Sequence, residues 1–226
     1  MILWICLLVG AYLVGAIPWS WLIVRWKTGQ DVRQVGSGNV GATNAMRAAG
    51  RAAGATALLL DVGKGVAAVL VARALGAPPL VESCAATLAV LGHMYPIWLR
   101  FHGGGKGVAT AAGALGALAP LPALLAALIF VVVTAVSRYV SLGSIAALVA
   151  FPFLVLALAT LGGSPRDVPF LVSSALVPAL SVWKHRGNIR RLLAGTERRL
   201  GKPREENQPR EQDKPRDQNE RREGKA

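Results

Sequence analysis

The chain has 226 residues, of which 53% are hydrophobic and only 16% are charged, and its mean hydropathy is +0.45. A soluble globular domain carries about 25% charged residues, so the composition excludes an ordinary soluble domain and favours a membrane protein. The net charge of +13 could also suit a soluble nucleic-acid-binding protein. Such a protein would not contain the long uncharged stretches seen here, and we expect no nucleic-acid partner.

Charge is distributed unevenly along the chain. Residues 201–226 hold 8 of the 25 Lys and Arg and 7 of the 12 Asp and Glu, which leaves a net charge of +12 on the first 200 residues. A segment with so few carboxylates suits contact with anionic lipids or anionic substrates. We therefore predict a transmembrane domain over residues 1–200. Residues 201–226 are predicted to form a disordered, charged cytoplasmic tail, because they offer almost no large apolar residue to bury.

Six apolar stretches predict membrane spans, for which about 20 residues are needed, and the last of the six is short. The first is expected to be retained, because no basic residue precedes it and it is longer than a signal-peptide core. Val108–Val136 contains Pro120 and Pro122, which favour two short helices with a tight turn over one kinked helix. The other predicted spans are Ile2–Val24, Ala52–Ala72, Leu80–Leu99, Ser141–Leu161 and Pro169–Trp183.

The orientation of the chain follows from its basic loops, because short loops rich in Lys and Arg stay in the cytoplasm. Arg25–Arg51, the loop with Arg100 and Lys106, and the segment after Lys184 are all basic and are predicted to lie inside. The nearly neutral connections Gly76–Glu82 and Leu161–Asp167 are predicted to lie outside. The pattern predicts an all-α polytopic protein of about seven transmembrane helices, with five or six as alternatives. Its N-terminus is predicted outside and its C-terminus in the cytoplasm.

Three polar segments fall on that one face. The first runs Gly36-Ser-Gly-Asn-Val-Gly-Ala-Thr-Asn44 and is followed by Arg47. Glycines let backbone N–H groups turn toward an anion, the short polar side chains add donors, and arginine adds a bidentate cation. A helix that begins near Ala42 would point its N-terminus at the same anion. The segment indicates either a phosphate site or an ordinary polar turn.

The second segment runs from Gly92-His-Met-Tyr-Pro96 to Phe101-His-Gly-Gly-Gly-Lys-Gly-Val-Ala-Thr110. It is not a Walker loop, since Gly107 and not Ser or Thr follows Lys106. The lysine could serve only to set orientation, and His93 could be a packing residue. Within the second span, Asp61 and Lys64 stand three residues apart, and we predict a structural ion pair deeper than the site.

The third segment is Lys184–Glu197. As a helix it would place His185, Asn188 and Arg191 or Leu192 on one face. The asparagine could then donate to a carbonyl or phosphate oxygen, and Arg190 and Arg191 could bind lipid phosphates. The alternative is a solvated basic helix beside the membrane.

Together, Gly36–Arg47, Gly104-Gly-Lys-Gly-Val-Ala-Thr110 and His185-Arg-Gly-Asn-Ile-Arg-Arg-Leu192 with Gly195 and Glu197 closely resemble the bacterial acyl-phosphate:glycerol-3-phosphate acyltransferase family. The resemblance covers roughly residues 1–200. It implies an enzyme that transfers a fatty acyl group from acyl phosphate to the 1-hydroxyl of sn-glycerol 3-phosphate, giving lysophosphatidate and phosphate for phospholipid synthesis. This implies a multi-pass protein of the cell inner membrane, with its site facing the cytoplasm. The family's usual run Phe-x-Gly-Gly-Lys-Gly is one residue shorter than the run here. Lys106 keeps its role if the extra residue is absorbed before Gly104.

We expect one phosphate to be held by Ser37, Asn39 and Arg47 and the other to be neutralised by Lys106. Asn188 or His185 would polarise the acyl carbonyl, and His93 or His185 could act as a base unless the substrate's phosphate does so. The expected catalytic residues are Ser37, Arg47, Lys106, His185 and Asn188. The expected phosphate-binding residues are Gly36, Gly38, Asn39, Gly41, Thr43, Asn44, His93, Gly104 and Gly105.

The resemblance implies no metal and no other cofactor, and neither Cys6 nor Cys84 has a metal-ligand neighbour or a CxxC spacing. The expected partners are the two phosphate-bearing substrates and membrane lipids, with no protein partner needed for function. The alternative is a transporter of phosphate or phospho-esters. A transporter would also need basic anion sites, but it would place them at the membrane midplane and often shows repeats.

Overall fold

The computed structural model of the chain describes residues 1–162 and 167–201. Within these residues all regular secondary structure is helical, as the sequence predicts. Val32–Gln34 and Ile97–Leu99 form single 3-10 turns. The α-helices are α1 (Ile2–Gly15), α2 (Trp19–Thr28), α3 (Ala42–Ala49), α4 (Arg51–Ala74), α5 (Pro79–Met94), α6 (Val108–Leu118), α7 (Pro120–Ser137), α8 (Val140–Thr160), α9 (Val168–Lys184) and α10 (Arg186–Leu193).

Five stretches of these described residues are long and apolar enough to cross a membrane: Ile2–Thr28, which joins α1 and α2, then α4, Pro79–Leu99, α7 and α8. The shorter apolar helices are α6 and α9. These five stretches and two shorter helices correspond one for one to the seven predicted helices. The number that cross the bilayer and their orientation remain predictions. Of the predicted tail, only Gly201 lies among the described residues, and residues 163–166 of one predicted outer connection lie outside them.

Prolines break two of the apolar stretches. Pro18 lacks an N–H and separates α1 from α2 within the first predicted span. Ala119, with φ −142° and ψ 82°, separates α6 from α7. A Cβ placed on Gly116 would lie 3.5 Å from the Cβ of Ala123, although seven residues of straight helix span about 10 Å. The chain therefore turns sharply here, and the predicted turn is confirmed.

Small residues let the helices approach closely, as is common in membranes. A Cβ on Gly65 would overlap the Thr110 backbone carbonyl, so α4 and α6 pack backbone to backbone. Gly54 likewise packs α4 against Met46 of α3. Gly50, in contrast, has φ 90° and a Cβ there would meet nothing within 4 Å, so this glycine turns the chain between α3 and α4.

The outer surface of the bundle is apolar. Val9 on α1 and Leu124, Leu128 and Val131 on α7 are each more than half exposed. Since large apolar patches are unfavourable in water, these faces suit contact with lipid. Interior side chains such as Met94, Phe151 and Phe170 form the core that joins α5, α8 and α9. The fold is that of an integral membrane protein.

Candidate active site

The three polar segments, far apart in the sequence, meet at one end of the bundle around a cavity of about 500 Å³. We call it the main cavity. Its walls contain residues from the loop before α3, the loop before α6, and α10 with the chain that follows it. The polar residues in its wall include Ser37, Asn39, Thr43, Asn44, Arg47, Lys106, His185, Asn188, Arg191, Glu197 and Arg198.

The loop before α3 is shaped by the buried side chain of Asn44. Its Nδ2 donates to the carbonyls of Val32 and Val35, at 2.8 and 2.9 Å, and its Oδ1 accepts from the Ser37 N–H at 3.0 Å. Gly36 has φ 61°, and a Cβ there would overlap Asn44 Oδ1. The carboxamide of Asn44 is thus engaged with the loop backbone. It fixes the position of Ser37, while Ser37, Asn39 and Thr43 offer their own side chains to the main cavity.

Helix α3 begins at Ala42, as the sequence predicts. Its first turn lies in the wall of the main cavity, so the positive end of the helix faces the space where an anion would sit. Arg47 lies one turn further along α3 and also lines the cavity. The arginine adds a full positive charge to a set of neutral donors.

The glycine loop before α6 is pressed between α5 and the first loop. A Cβ on Gly104 would overlap the Met94 carbonyl, and one on Gly105 would overlap His93 Nε2. The Gly105 N–H donates to the His93 carbonyl at 3.1 Å. Only glycines fit at these two positions, and they hold the neighbouring Lys106 at the cavity wall.

The backbone of this loop is irregular upstream of Gly104. Arg100 and Phe101 have φ values of 53° and 63°, which non-glycine residues rarely adopt. Phe101 and His102 are exposed, whereas Gly105 is buried. The irregular backbone therefore lies before the two packed glycines and leaves Lys106 in the cavity wall.

The charge of Lys106 is sensitive to its surroundings. The pKa of Lys106 is lowered to about 8, chiefly by burial; the negative charge of Glu197 raises this pKa, and the positive charges of Arg191 and Arg47 lower it. A bound phosphate would favour the charged ammonium. The lysine can therefore bind and neutralise a phosphate group in the main cavity.

His185 is buried at the junction of α9 and α10. Its Nδ1 is 2.8 Å from the Ser181 carbonyl, which can only accept, so Nδ1 carries the proton. Burial and the nearby Lys106 charge lower the pKa of His185 to about 4. Nε2 of the neutral ring is then an acceptor. Such an acceptor can receive a hydrogen bond from a substrate hydroxyl, but it cannot polarise a carbonyl.

Asn188 is buried on α10 and is oriented by Glu197. Its Nδ2 donates to Glu197 Oε1 at 2.7 Å, and its second N–H is left to point at a ligand. Glu197 also accepts from Ser141 Oγ at 2.8 Å and Arg191 Nε at 2.7 Å. Burial raises the pKa of this carboxyl, but these three hydrogen bonds and the Arg191 charge hold it below the usual value.

The organising role of Glu197 is one that our reasoning from residues missed. Ser141 is 56 residues away from it in the sequence, and no local pattern pairs the two. The only sequence signal was the place of Glu197 at the end of the third segment. In contrast, the predicted shared face of His185, Asn188 and Arg191 is confirmed, since all three line the main cavity.

The far part of the main cavity is apolar. It extends between α4, α6, α7 and α8, and its walls include Val62, Leu115, Ala126, Phe130 and Phe151. The cavity is therefore amphipathic, with a cationic end and an apolar end. Its shape and lining suit a molecule that has a phosphate group at one end and a hydrocarbon chain at the other.

A buried cluster lies against this cavity. Lys64 Nζ lies 2.8 Å from Asp61 Oδ1, which confirms the predicted pair, and 3.0 Å from His93 Nδ1. It also donates to the Ile17 carbonyl at 2.9 Å, where α1 gives way to α2. Asp61 and His93 line the main cavity, so the pair lies at the site. The prediction that the pair lies deeper than the site is wrong. The cluster ties three helices together behind the glycine loop.

Most of the predicted site residues come together in the main cavity. The three that do not line it are Gly38, Gly104 and Gly105. Gly38 has φ 70° and turns the first loop. The other two line a second, smaller cavity of about 330 Å³, which we call the basic cavity. The basic cavity is lined by Asn39, Gly104, Gly105, Lys106, Lys184, Arg186, Gly187 and Arg190.

An apolar helical bundle around an amphipathic, cationic cavity defines an integral membrane protein suited to phosphate-bearing lipids or their precursors. Comparison with known proteins makes this specific. The family model described as "Glycerol-3-phosphate acyltransferase" matches residues 5–195, and the chain belongs to that family.

The matches to known proteins cover nearly the whole length of each relative. Glycerol-3-phosphate acyltransferase 2 of Moorella thermoacetica is 48% identical over 88% of this chain and 99% of its own. The glycerol-3-phosphate acyltransferase of Myxococcus xanthus is 50% identical over 83% and 95%. The crystal structure of PlsY, an integral membrane glycerol 3-phosphate acyltransferase, in its glycerol 3-phosphate form is similar with a TM-score of 0.79 and 41% identity. That match covers 88% of this chain and 96% of PlsY.

Proposed function

We propose that this protein transfers a fatty acyl group from acyl phosphate to the 1-hydroxyl of sn-glycerol 3-phosphate, the first acylation of phospholipid synthesis. The amphipathic main cavity carries this proposal, because both proposed substrates have a phosphate group and one also has a long apolar chain. Membership of the glycerol-3-phosphate acyltransferase family supports the acceptor. The names of the relatives do not specify the donor, so acyl phosphate rests on the resemblance of the three motifs.

The chemistry requires one bond to form and one to break. The 1-hydroxyl oxygen attacks the acyl carbon, and the tetrahedral intermediate collapses with loss of the bond between the acyl carbon and the bridging phosphate oxygen. Phosphate leaves with that electron pair. The hydroxyl proton ends on the departing phosphate, so the products are lysophosphatidate and hydrogen phosphate.

Some residues of the main cavity bind the two phosphate groups, and others act on the reacting carbonyl and hydroxyl. Arg47, with Ser37 and the start of α3, binds one phosphate, and Lys106 neutralises the other. The free N–H of Asn188 stabilises the developing oxyanion. Nε2 of His185 accepts the hydrogen bond of the attacking hydroxyl and orients its oxygen toward the carbonyl.

Positioning accounts for much of the expected rate. An acyl phosphate is already activated, so fixing the two reactants in one cavity is the main task, and orientation alone can supply about 7–11 kcal/mol. The acyl chain would occupy the apolar end of the main cavity. With the predicted orientation, the polar end would open to the cytoplasm from the cell inner membrane, where water-soluble glycerol 3-phosphate is available.

The test uses the detergent-purified protein with sn-glycerol 3-phosphate and either palmitoyl phosphate or palmitoyl-CoA, followed by chromatography of the lipid product. We expect lysophosphatidate from palmitoyl phosphate only. Product from palmitoyl-CoA only would refute the donor. Absence of product from both, in folded protein, would refute the function and favour the transporter, which uptake into proteoliposomes would detect.

Variants connect this activity to the site. Arg47→Ala and Lys106→Ala each remove a phosphate-binding cation and are expected to lower kcat/KM by about ten- to a hundredfold, since a hydrogen bond to a charged group contributes about 1.5–3 kcal/mol. Arg51→Ala is the matched control, because Arg51 is exposed and lines neither cavity. Near-normal rates in both site variants would refute the proposed roles.

A further inference from the structure

The chain that follows α10 turns back along the wall of the main cavity. Gly195 has φ 70°, which ends the helical direction. The N–H groups of Thr196 and Glu197 both donate to the Arg191 carbonyl, at 2.8 and 3.1 Å. The residues beyond this turn contact the connection between α7 and α8. We call residues 196–200 the strap, because they join α10 to that connection.

The strap is held at several points along its length. Glu197 near its start is fixed by the three hydrogen bonds described above. Arg199 Nε donates to the Tyr139 hydroxyl at 3.0 Å, and its guanidinium lies 5.4 Å from the centre of that ring. The Leu200 N–H donates to the Arg138 carbonyl at 2.7 Å. The one residue between Glu197 and Arg199 is therefore positioned before any ligand arrives, which favours binding.

That residue is Arg198, which lines the main cavity. One of its Nη atoms lies 3.7 Å from the place that a Cβ on Gly36 would occupy, so the guanidinium stands beside the loop that carries Ser37. Within residues 1–162 and 167–201, Arg198 makes no ion pair. Burial and the positive charge of Arg198 lower the pKa of Arg47, and Glu197 opposes them. The two arginines repel each other, and an anion bound between them would remove that repulsion.

The charge of the proposed substrates exceeds that of the cations assigned to them above. A phosphate monoester carries about −1.5 to −2 at pH 7, so two such groups would bring about −3 to −4 into one cavity. Arg47 and Lys106 supply two positive charges. Arg191 also lines the cavity, but it is paired with Glu197 at 2.7 Å. Arg198 is left as the further cation that can balance the substrates.

We infer that Arg198 is a third substrate-binding cation of the main cavity and contacts the same phosphate group as Ser37 and Arg47. Arg199 and Tyr139 are positioning residues, because they hold the strap that carries Arg198. The inference rests on the proposed function, since it assigns a residue to one of the two proposed substrates. Both substrates offer the same chemistry, a phosphate group with one substituent, and the experiment distinguishes between them.

The first experiment measures initial rates of the full-length protein in detergent, with each substrate varied while the other is saturating. Arg198→Gln is expected to raise KM for one substrate by about tenfold, the effect of losing a hydrogen bond to a charged group. Arg198→Lys keeps the charge and should regain part of the affinity. Arg198 is exposed, so its replacement should leave the fold intact. Arg51→Gln is the control for loss of a charge outside both cavities.

The substrate whose KM rises identifies the phosphate group beside Arg198. A rise for sn-glycerol 3-phosphate alone assigns the acceptor to it, and a rise for palmitoyl phosphate alone assigns the donor; either result supports the inference. Unchanged KM values for both substrates overturn it, and so does an equal rise in Arg51→Gln, which would show an effect of net charge alone. Failure of the proposed function looks different, because the wild-type protein would then form no lysophosphatidate.

A second experiment tests the strap by combining variants. Arg199→Gln loses the contacts with the Tyr139 ring and hydroxyl and is expected to raise the same KM by about threefold. Since Arg199 acts through the position of Arg198, the double variant should have the same KM as Arg198→Gln alone. Additive effects of the two replacements, or an unchanged KM in Arg199→Gln, would overturn the positioning role of the strap.

Discussion

The alkaline limb of the pH–rate profile offers a sharp test of the role of Lys106. The residue must be protonated to neutralise a phosphate, and its pKa is lowered to about 8 by burial and nearby cations. The charged form is present below the pKa, so activity is expected to fall as the pH rises through it. For a free enzyme with this pKa, about 90% of Lys106 is charged at pH 7 and about 10% at pH 9. The expected decrease in kcat/KM between these values is about tenfold.

The assay is the initial rate of lysophosphatidate formation at low substrate concentration, because kcat/KM reports the ionisation of the free enzyme. Uncatalysed hydrolysis of the acyl phosphate is subtracted at each pH. A sample held at pH 9 and returned to pH 7 must regain its rate, which excludes irreversible unfolding.

Lys106→Arg is the matched variant. Its guanidinium stays charged throughout this range, so the decrease between pH 7 and pH 9 should disappear whatever the absolute rate. A wild-type rate that stays flat to pH 9.5 would refute the reasoning. An equal decrease in wild type and Lys106→Arg would show that another group titrates.

Three further predictions concern the support of the site. Glu197→Ala removes three hydrogen bonds, two of them from neutral donors, and is expected to cost about 3 kcal/mol of stability, measured by thermal unfolding in detergent. It should also lower kcat in the rate assay, because Asn188 loses its orientation. An unchanged kcat would contradict the role proposed for Glu197. Gly105→Ala forces the glycine loop away from α5 and should lower kcat/KM by about a hundredfold. Gly63→Ala is the control and should have little effect, because a Cβ at Gly63 meets nothing within 4 Å. Lys64→Met removes the lysine partner of the buried Asp61 carboxylate, which keeps His93 Nδ1 at 3.4 Å, and should cost about 3–5 kcal/mol in thermal unfolding. Much of this loss should be regained when Asp61 is also replaced by Leu, and no regain in the double variant would refute the pairing argument.

Much of the fold could be predicted because hydropathy acts locally. The second predicted span, Ala52–Ala72, differs from α4, Arg51–Ala74, by only one or two residues at either end. The turn at Ala119 was also predictable, since proline disfavours a continuous helix at a known place. The division of the first span into α1 and α2 was not predicted. Pro18 could be read from the sequence. The break between α1 and α2 is, however, accompanied by a hydrogen bond from Lys64 to the Ile17 carbonyl, a tertiary contact that the sequence does not show.

The site was predicted in composition but not in detail. Glycine and asparagine patterns indicated the anion-binding loops, and the first turn of α3 begins where expected. The sequence could not show that the carboxamide of Asn44 hydrogen-bonds to the loop backbone, nor that Lys184 lies over the Tyr95 ring. Both depend on contacts between segments that periodicity does not relate. The basic cavity escaped prediction for the same reason.

The apolar end of the main cavity has a kinetic consequence. Leu58 lines the main cavity and is also 46% exposed on the outer surface of α4, so the cavity wall continues into the lipid-facing surface. Under the proposed function, a long-chain donor dissolved in the bilayer would enter sideways and would reach the site by diffusion in two dimensions. Its effective concentration is a mole fraction of the surrounding lipid, so diluting the donor with inert lipid slows the enzyme even when the amount per volume is unchanged.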